Sequence, residues 1–382
     1  DICLVEEQFE MVQYVEKGRK PRWGYFPKEG HPQAVTRFDG TRITPGFLQA
    51  IAYEVYVKNV TFGLLHQWLG GMGMTVSENT LRNWLKKGRK YLDRMVVELK
   101  RIALEKDAVV NCDETWCKVR KYDRYKKCYM WVLVNKAERV VIFFYEDGSR
   151  GRDVLTNFLG DAELKALMSD GYNAYVFIGD GLKTHRYKDT DHQVCLAHVR
   201  AKFVKARMEG GDKRADVFLD NINRLFRFER EYDREMITDG ERTRRRQGLP
   251  TLEAMINLRA NLLQELKSEE EHKSCYMREA LNYLHKFWNE AFTYIKDGRY
   301  PISNNLAERA VRPFTTKRKN SLHFGSDEGA EIAAVYHSII STVKLQGRSA
   351  WGYLGKFFTG IFNGCRDFLS LTPQNIDLAV CQ

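Results

Sequence analysis

The chain has 382 residues, 43% hydrophobic and 29% charged, an ordinary globular balance at a length that favours two or three domains over one small core. Its net charge of +11 and pI of about 9.1 point to a polyanionic partner, most commonly nucleic acid. No apolar run approaches the ~20 residues that span a membrane, and the eight cysteines form no C-x-x-C pair, which excludes a zinc ribbon and a disulfide framework and suits reduced thiols in a cytoplasmic protein.

Residues 1–43, with Pro21, Pro27, Pro32 and several glycines, read as an irregular or short-stranded lead-in. From Thr44 the pattern turns helical, with Thr44 as N-cap, Pro45 at the first helical position, and Phe47, Ile51 and Val55 in helical spacing. A second helix covers Thr61 to Leu69 and stops at Gly70-Gly71. A third begins after Ser77, with Leu81, Trp84, Leu85 and Leu92 on one side and Arg82, Lys86, Lys87, Arg89 and Lys90 on the other. Arg82 to Arg101 holds eight Lys/Arg against two acids. Residues 44–105 thus suit a helix-turn-helix-like DNA-binding region, the alternative being a plain bundle with a solvated basic face.

The apolar run Ala108-Val109-Val110 reads as a buried strand that ends in Asp113 and Glu114. A carboxylate there needs a partner or a metal, unless it simply caps the following turn. Glu114 is placed on the opposite strand face and outside any ligand set. Cys128 to Asn135 and Arg139 to Tyr145 fit a hairpin, and Asp153 to Leu164 a helix. Ala166-Leu167-Met168 runs into Asp170, Val176-Phe177-Ile178 runs into Asp180, and Gln193 to Ala197 leads into a basic helix from His198. This order predicts a mixed sheet flanked by helices. Either Asp170 or Asp180 can stand beside Asp113, and spacing does not choose. Two such carboxylates repel unless a divalent cation joins them, and all-oxygen ligation favours Mg²⁺ or Mn²⁺.

Residues 199–298 read as helices throughout, with Arg242 to Arg246 as a loop or helix end carrying a solvated charge cluster. Asn304 or Asn305 caps a short helix that Pro313 ends. Glu308 is the one acid between Arg299 and Lys319, among six Lys/Arg. It is either the partner of Arg312 four residues on or the third carboxylate of a phosphate-handling site.

The motifs CDETW, SDGYNAY, VCLAHVRAKF, ISNNLAERAVRPF and RKNSLHFGSDEGAEIAAVYHSIISTVKLQG, in this order, resemble the bacterial insertion-sequence sixty-six family of DDE transposases. The similarity runs from about Thr44 to Leu354. The resemblance implies an α/β fold: a ribonuclease-H-like mixed sheet with a helical insertion, preceded by the mainly helical N-terminal DNA-binding region. The catalytic core then spans 106–200 and 300–350, the insertion 201–299 and a C-terminal tail 351–382. It selects Asp113, Asp170 and Glu308 as catalytic and metal-binding acids, Asp113 bridging two Mg²⁺ (or Mn²⁺) ions and the others holding one each. The implied reaction is cleavage at the element's end by water, then attack of the freed 3′-hydroxyl on target DNA. Arg309, Arg312, Lys317, Arg318 and Lys319 would neutralise the DNA backbone near the site, with Arg82, Lys86 and Lys87 contacting DNA from the N-terminal region. Implied partners are transposon ends, target DNA, further copies of the chain on DNA and accessory transposition proteins; no membrane is implied. The alternatives are an inactive DNA-binding remnant and a nuclease of the same fold that cuts without joining. The family's coiled coil and Cys-rich zinc segment are not visible here. Cys195-Leu196-Ala197-His198 stands where relatives show Cys-Trp-Ala-His, and both end residues are read as core and helix-start positions.

Overall fold

The computed structural model describes residues 9–14, 22–27, 41, 43–268 and 273–377. Contacts divide the chain into one unit of residues 1–95 with 346–382 and another of residues 96–345.

In the first unit, Phe9–Tyr14 (β1) and Arg22–Pro27 (β2) form an antiparallel pair, as the short-stranded reading of the lead-in expects. Pro45–Tyr56 (α1) begins where Thr44 Oγ1 accepts the Phe47 N–H at 3.2 Å. Phe62–Gly71 (α2) begins the same way at Thr61, whose hydroxyl accepts from Leu64 at 3.3 Å. These caps satisfy amide donors that a helix start leaves unpaired. Glu78–Ala103 (α3) follows and carries the chain into the second unit.

The second unit is mixed α/β. Val109–Arg120 (β3), Tyr125–Asn135 (β4) and Val140–Glu146 (β5) form an antiparallel meander. Arg152–Leu159 (α4) then crosses to Ala166–Ser169 (β6), parallel to β3, and Asp191–Val194 (β7) pairs in parallel with β6. The strand order is β5-β4-β3-β6-β7. Two expectations need correction. β3 does not end at its acids. It continues to Arg120 because β4 pairs with it throughout, Asp113 opposite Val132 and Arg120 opposite Tyr125. The cue was the alternation of buried Cys117 and Val119 with exposed Trp116, Lys118 and Arg120. Val176-Phe177-Ile178 is not a strand; a 3₁₀ turn at Asn173–Tyr175 precedes it, and buried Phe177 packs edge-on against Tyr187.

Leu196–Met208 (α5), Ala215–Glu235 (α6), Leu249–Lys267 (α8), Cys275–Lys286 (α9) and Trp288–Phe292 (α10) share one apolar core, and the polar Asp239–Arg246 (α7) lies between α6 and α8 in the chain. Phe203 stacks on Phe218 within it, and Leu258, Leu262 and Leu284 surround them. Arg246 corrects the reading of its run as solvated charge, for it is 2% exposed and buried against Glu229. Asn305–Ser321 (α11) runs through Pro313 rather than stopping there. Proline gives up one amide bond, but Val311 and Phe314 on either side bury against β3 and β4 and outweigh it. Asp327–Leu345 (α12) covers β5, where the Ser338 and Thr342 hydroxyls accept the Phe143 and Val141 N–H at 2.8 and 2.9 Å. An edge strand is thereby closed to further pairing. Ala350–Phe362 (α13) returns to the first unit, where Gln49 of α1 donates to Trp351 O at 2.8 Å.

Candidate active site

Strand register leads Asp113 and Asp170 to the same end of the sheet, while the oxygens of Asp113, Asp170 and Glu308 do not all come within 4.8 Å of one another. Asn111, Met168 and Gln193 are partners across β3, β6 and β7. Two residues further along stand Asp113 within β3, and Asp170 and Cys195 one residue past the ends of β6 and β7, so that the row of partners leads to all three. The row is held past the last paired strand residue: Cys195 N–H donates to Ser169 O at 2.9 Å. β6 ends at Ser169 while β3 continues to Arg120, so β6 no longer pairs with β3 beside Asp113. Gly171 makes the turn behind Asp170 with φ +80°, and a Cβ there would stand 2.7 Å from the Tyr283 hydroxyl. That combination admits only glycine.

Glu308 arrives by a different route. Asn304, fully buried at the start of α11, does not cap the helix with its side chain. Its Nδ2 donates to Cys112 O and its Oδ1 accepts from Asn111 Nδ2, both at 2.9 Å. Its backbone N–H donates to Cys195 Sγ at 3.1 Å, and its carbonyl accepts the Glu308 N–H at 3.1 Å. One residue thus ties β3, through its side chain, and the β7 end, through its backbone N–H, to the first turn of α11, and Glu308 belongs to that turn. Sequence reasoning saw a cap; the lattice role of Asn304 and Asn111 had no local signal.

Electrostatics agree with this gathering. Burial first, then the neighbouring Glu114 carboxylate, push Asp113 up to about 7, and Asp170 and Glu308 both add to the rise, against one N–H bond from Glu114. Among the described residues no Lys or Arg ion-pairs with Asp113, Asp170 or Glu308. His198, in the first turn of α5, brings Nδ1 within 3.9 Å of Glu308 Oε1. Cys195, His198 and Glu308 offer ligand atoms that all lie within 4.8 Å of one another.

Because Asp113 ionises more readily in the unfolded chain, its carboxylate favours the folded state only when protonated. In chelator, this contribution is fully present below about pH 4 and is lost as pH rises towards 7. Asp113→Asn should therefore stabilise the metal-free protein by a few kcal/mol at pH 8 and by much less at pH 5. Thermal melts in EDTA check this, and a difference independent of pH would remove the coupling.

The other predicted positions divide. Asp180 is held in its own loop by Lys183 at 2.9 Å and by the Leu182 N–H. Glu114, its side chain 1% exposed, is caged by Arg150 and the Tyr175 hydroxyl. Arg150 in turn lies 3.8 Å over the Tyr172 ring, beside the Asp170 turn, and is a cation that sequence reasoning missed. Arg309, Arg312 and Lys319 are exposed on α11. Arg318 donates to Thr115 Oγ1 and Trp116 O at 2.9 and 2.7 Å and stacks on Trp116. Lys317 is the correction: it is 6% exposed and continues the buried stripe of Val311 and Phe314, and burial lowers its ammonium to about 7. It cannot reach a DNA backbone. In the first unit Arg82 pairs with Glu78 and lies over the Phe62 ring, Lys86 is exposed, and Lys87 is half-buried.

The sequence profile of the family described as Transposase IS66 family matches residues 40–332. The uncharacterized protein y4jD of Sinorhizobium fredii is 26% identical over 350 residues, covering 87% of this chain and 65% of that protein. The uncharacterized protein y4qI of the same organism is 27% identical over 239 residues, covering 62% of this chain and 43% of that protein. The chain thus spans less than two thirds of either relative.

Proposed function

This chain belongs to the Transposase IS66 family, and on that premise we propose that it is a divalent-cation-dependent DNA transposase of the DDE type, with Asp113, Asp170 and Glu308 as its catalytic acids. The observation that carries the reading is that β3 and β6, paired in parallel, lead to Asp113 and Asp170, with Glu308 held to β3 through Asn304. The mixed sheet, with its helical segment between β7 and α11, supports a ribonuclease-H-like core.

The residues fit divalent cations. Asp113 is raised first by burial and then by the carboxylates of Glu114, Asp170 and Glu308, and a divalent cation would relieve both costs. Asp113, Asp170 and Glu308 would together hold Mg²⁺ or Mn²⁺ ions. Such ions supply Lewis-acid activation of the attacking hydroxyl and stabilisation of the leaving oxygen. Arg309, Arg312 and Lys319 bind the phosphate backbone along α11, while Arg318 positions Trp116 at the margin. In the first unit, α2 and α3 form a helix-turn-helix-like pair that grips DNA through Arg82, Lys86 and Lys87. The partners are transposon ends and target DNA, with further copies of the chain assembled on them and accessory proteins joining. The setting is the cytoplasm; no helix among the described residues is long and apolar enough to cross a membrane.

Labelled duplex carrying the element's end, incubated with Mg²⁺ or Mn²⁺ and a target plasmid, should be nicked and then joined to the plasmid. Nicking without joining would make the protein a nuclease, and binding without nicking in either ion would leave a DNA-binding remnant.

A further inference from the structure

The Cys-x-x-His pair at the start of α5 is not used by the chemistry above. Cys195 stands one residue past the end of β7 and is fully buried. His198 stands one turn on, half-exposed. Its Nδ1 is buried, and no hydrogen-bond partner meets it. A buried imidazole nitrogen left unmatched calls for an explanation, and an absent ion is one. Gln193, two positions before Cys195 on the same strand face, is also fully buried with both amide atoms unmatched.

Distance favours an ion over a plain ion pair. A tetrahedral ion with bonds of about 2.0–2.3 Å separates its ligand atoms by roughly 3.3–3.8 Å. His198 Nδ1 and Glu308 Oε1 are 3.9 Å apart, and Cys195 Sγ completes a triangle with no side over 4.8 Å. The Asn304 N–H holds the sulfur from behind, the kind of outer contact that orients a ligand. Among the described residues the one other such gathering, Cys128 with Asp147 and Asp327, is already neutralised: Lys121 Nζ lies 2.9 Å from Asp147 and 2.5 Å from Asp327. No described Lys or Arg ion-pairs with Glu308 in the same way.

We propose that Cys195, His198 and Glu308 form a three-ligand site for a borderline divalent cation, Zn²⁺ or Co²⁺ rather than Mg²⁺, with the fourth position open. Sulfur and imidazole select against Mg²⁺, which demands oxygen ligands. Three protein ligands with one free position is also how zinc is held where chemistry occurs. The site stands on its own geometry; its bearing on strand cleavage, through the shared Glu308, rests on the transposase reading. Occupation by Zn²⁺ would commit Glu308 and make cleavage sensitive to the ratio of Zn²⁺ to Mg²⁺.

The test is titration of the reduced full chain with Co²⁺ alone, followed by absorption, and with Zn²⁺ by calorimetry. One equivalent should bring a thiolate-to-cobalt band in the near ultraviolet together with visible bands of four-coordinate Co²⁺. Cys195→Ala should abolish the ultraviolet band, whereas changing Cys275 and Cys365 to Ser should keep it. His198→Ala, at a half-exposed position the fold tolerates, should weaken Zn²⁺ binding by at least the roughly 10–100-fold that even an outer-shell loss costs. No ultraviolet band, with equal Zn²⁺ affinity in the wild type and His198→Ala, overturns the site. Asp113→Asn separates the two proposals. A cobalt band in a protein that never cuts DNA leaves this site standing and removes the transposase reading. Asp113-dependent cutting by a protein with no band does the reverse.

Discussion

Asp113→Asn, Asp170→Asn and Glu308→Gln are each expected to lower cation-dependent cleavage of end DNA by about 10³-fold or more, the scale on which groups acting as one unit fail together. Each substitution keeps the side-chain shape and removes one negative charge. The three acids come from β3, the turn after β6 and the first turn of α11, so no single loop movement can replace one with another. Losing Asp113, Asp170 or Glu308 would remove one of the carboxylates proposed to hold the ions. Affinity for duplex DNA should stay within a few-fold, because it comes from Lys and Arg on phosphates and none of those changes. Double substitutions should cost little more than single ones. Cleavage assays in Mg²⁺ and Mn²⁺ beside a salt-dependent binding curve measure both quantities. Robust cutting by any one variant removes that residue from the site.

Arg246→Ala should produce the largest loss of stability, roughly 3–5 kcal/mol for the unit that contains it. The guanidinium is fully engaged: Nε and Nη2 donate to Glu229 at 2.8 and 2.7 Å, and the remaining donors meet the carbonyls of Tyr294, Asp297 and Tyr300. Alanine strands a buried carboxylate and three carbonyls at once. Arg242 also reaches Glu229, at 2.8 Å, so some charge compensation survives and holds the loss within that range. Arg246→Met with Glu229→Leu should recover only part of it, because an apolar pair removes the stranded carboxylate but leaves the three carbonyls unmatched. Denaturant titrations of the two variants and the wild type give the answer. If Arg246→Ala alone unfolds at the wild-type midpoint, the pair contributes nothing to the fold.

Much of the architecture was legible locally. The caps at Thr44 and Thr61, the β4–β5 hairpin and the helical run after His198 depend on residues within a few positions of each other, which is the range over which propensity, capping and periodicity act. β3 was legible as a strand but not in length, since its second half is a strand only because β4 lies alongside. The sequence raised Asp113 as an acid in need of a partner, yet left Asp170 and Asp180 equal until the resemblance chose between them.

Composition and pattern alone therefore established a basic, mixed α/β chain with a buried acid on its central strand, and motif order established the family. Only the tertiary structure decided that Asp170 follows the strand paired with that of Asp113 while Asp180 pairs with Lys183, that Asn304 anchors Glu308 instead of capping, and that Lys317 and Arg246 face inward. Apart from the local Asp180–Lys183 pair, those outcomes are set by strand register or by which face of a helix meets its neighbours. Such contacts join residues up to about two hundred positions apart, and their energy is not a function of any short window of sequence.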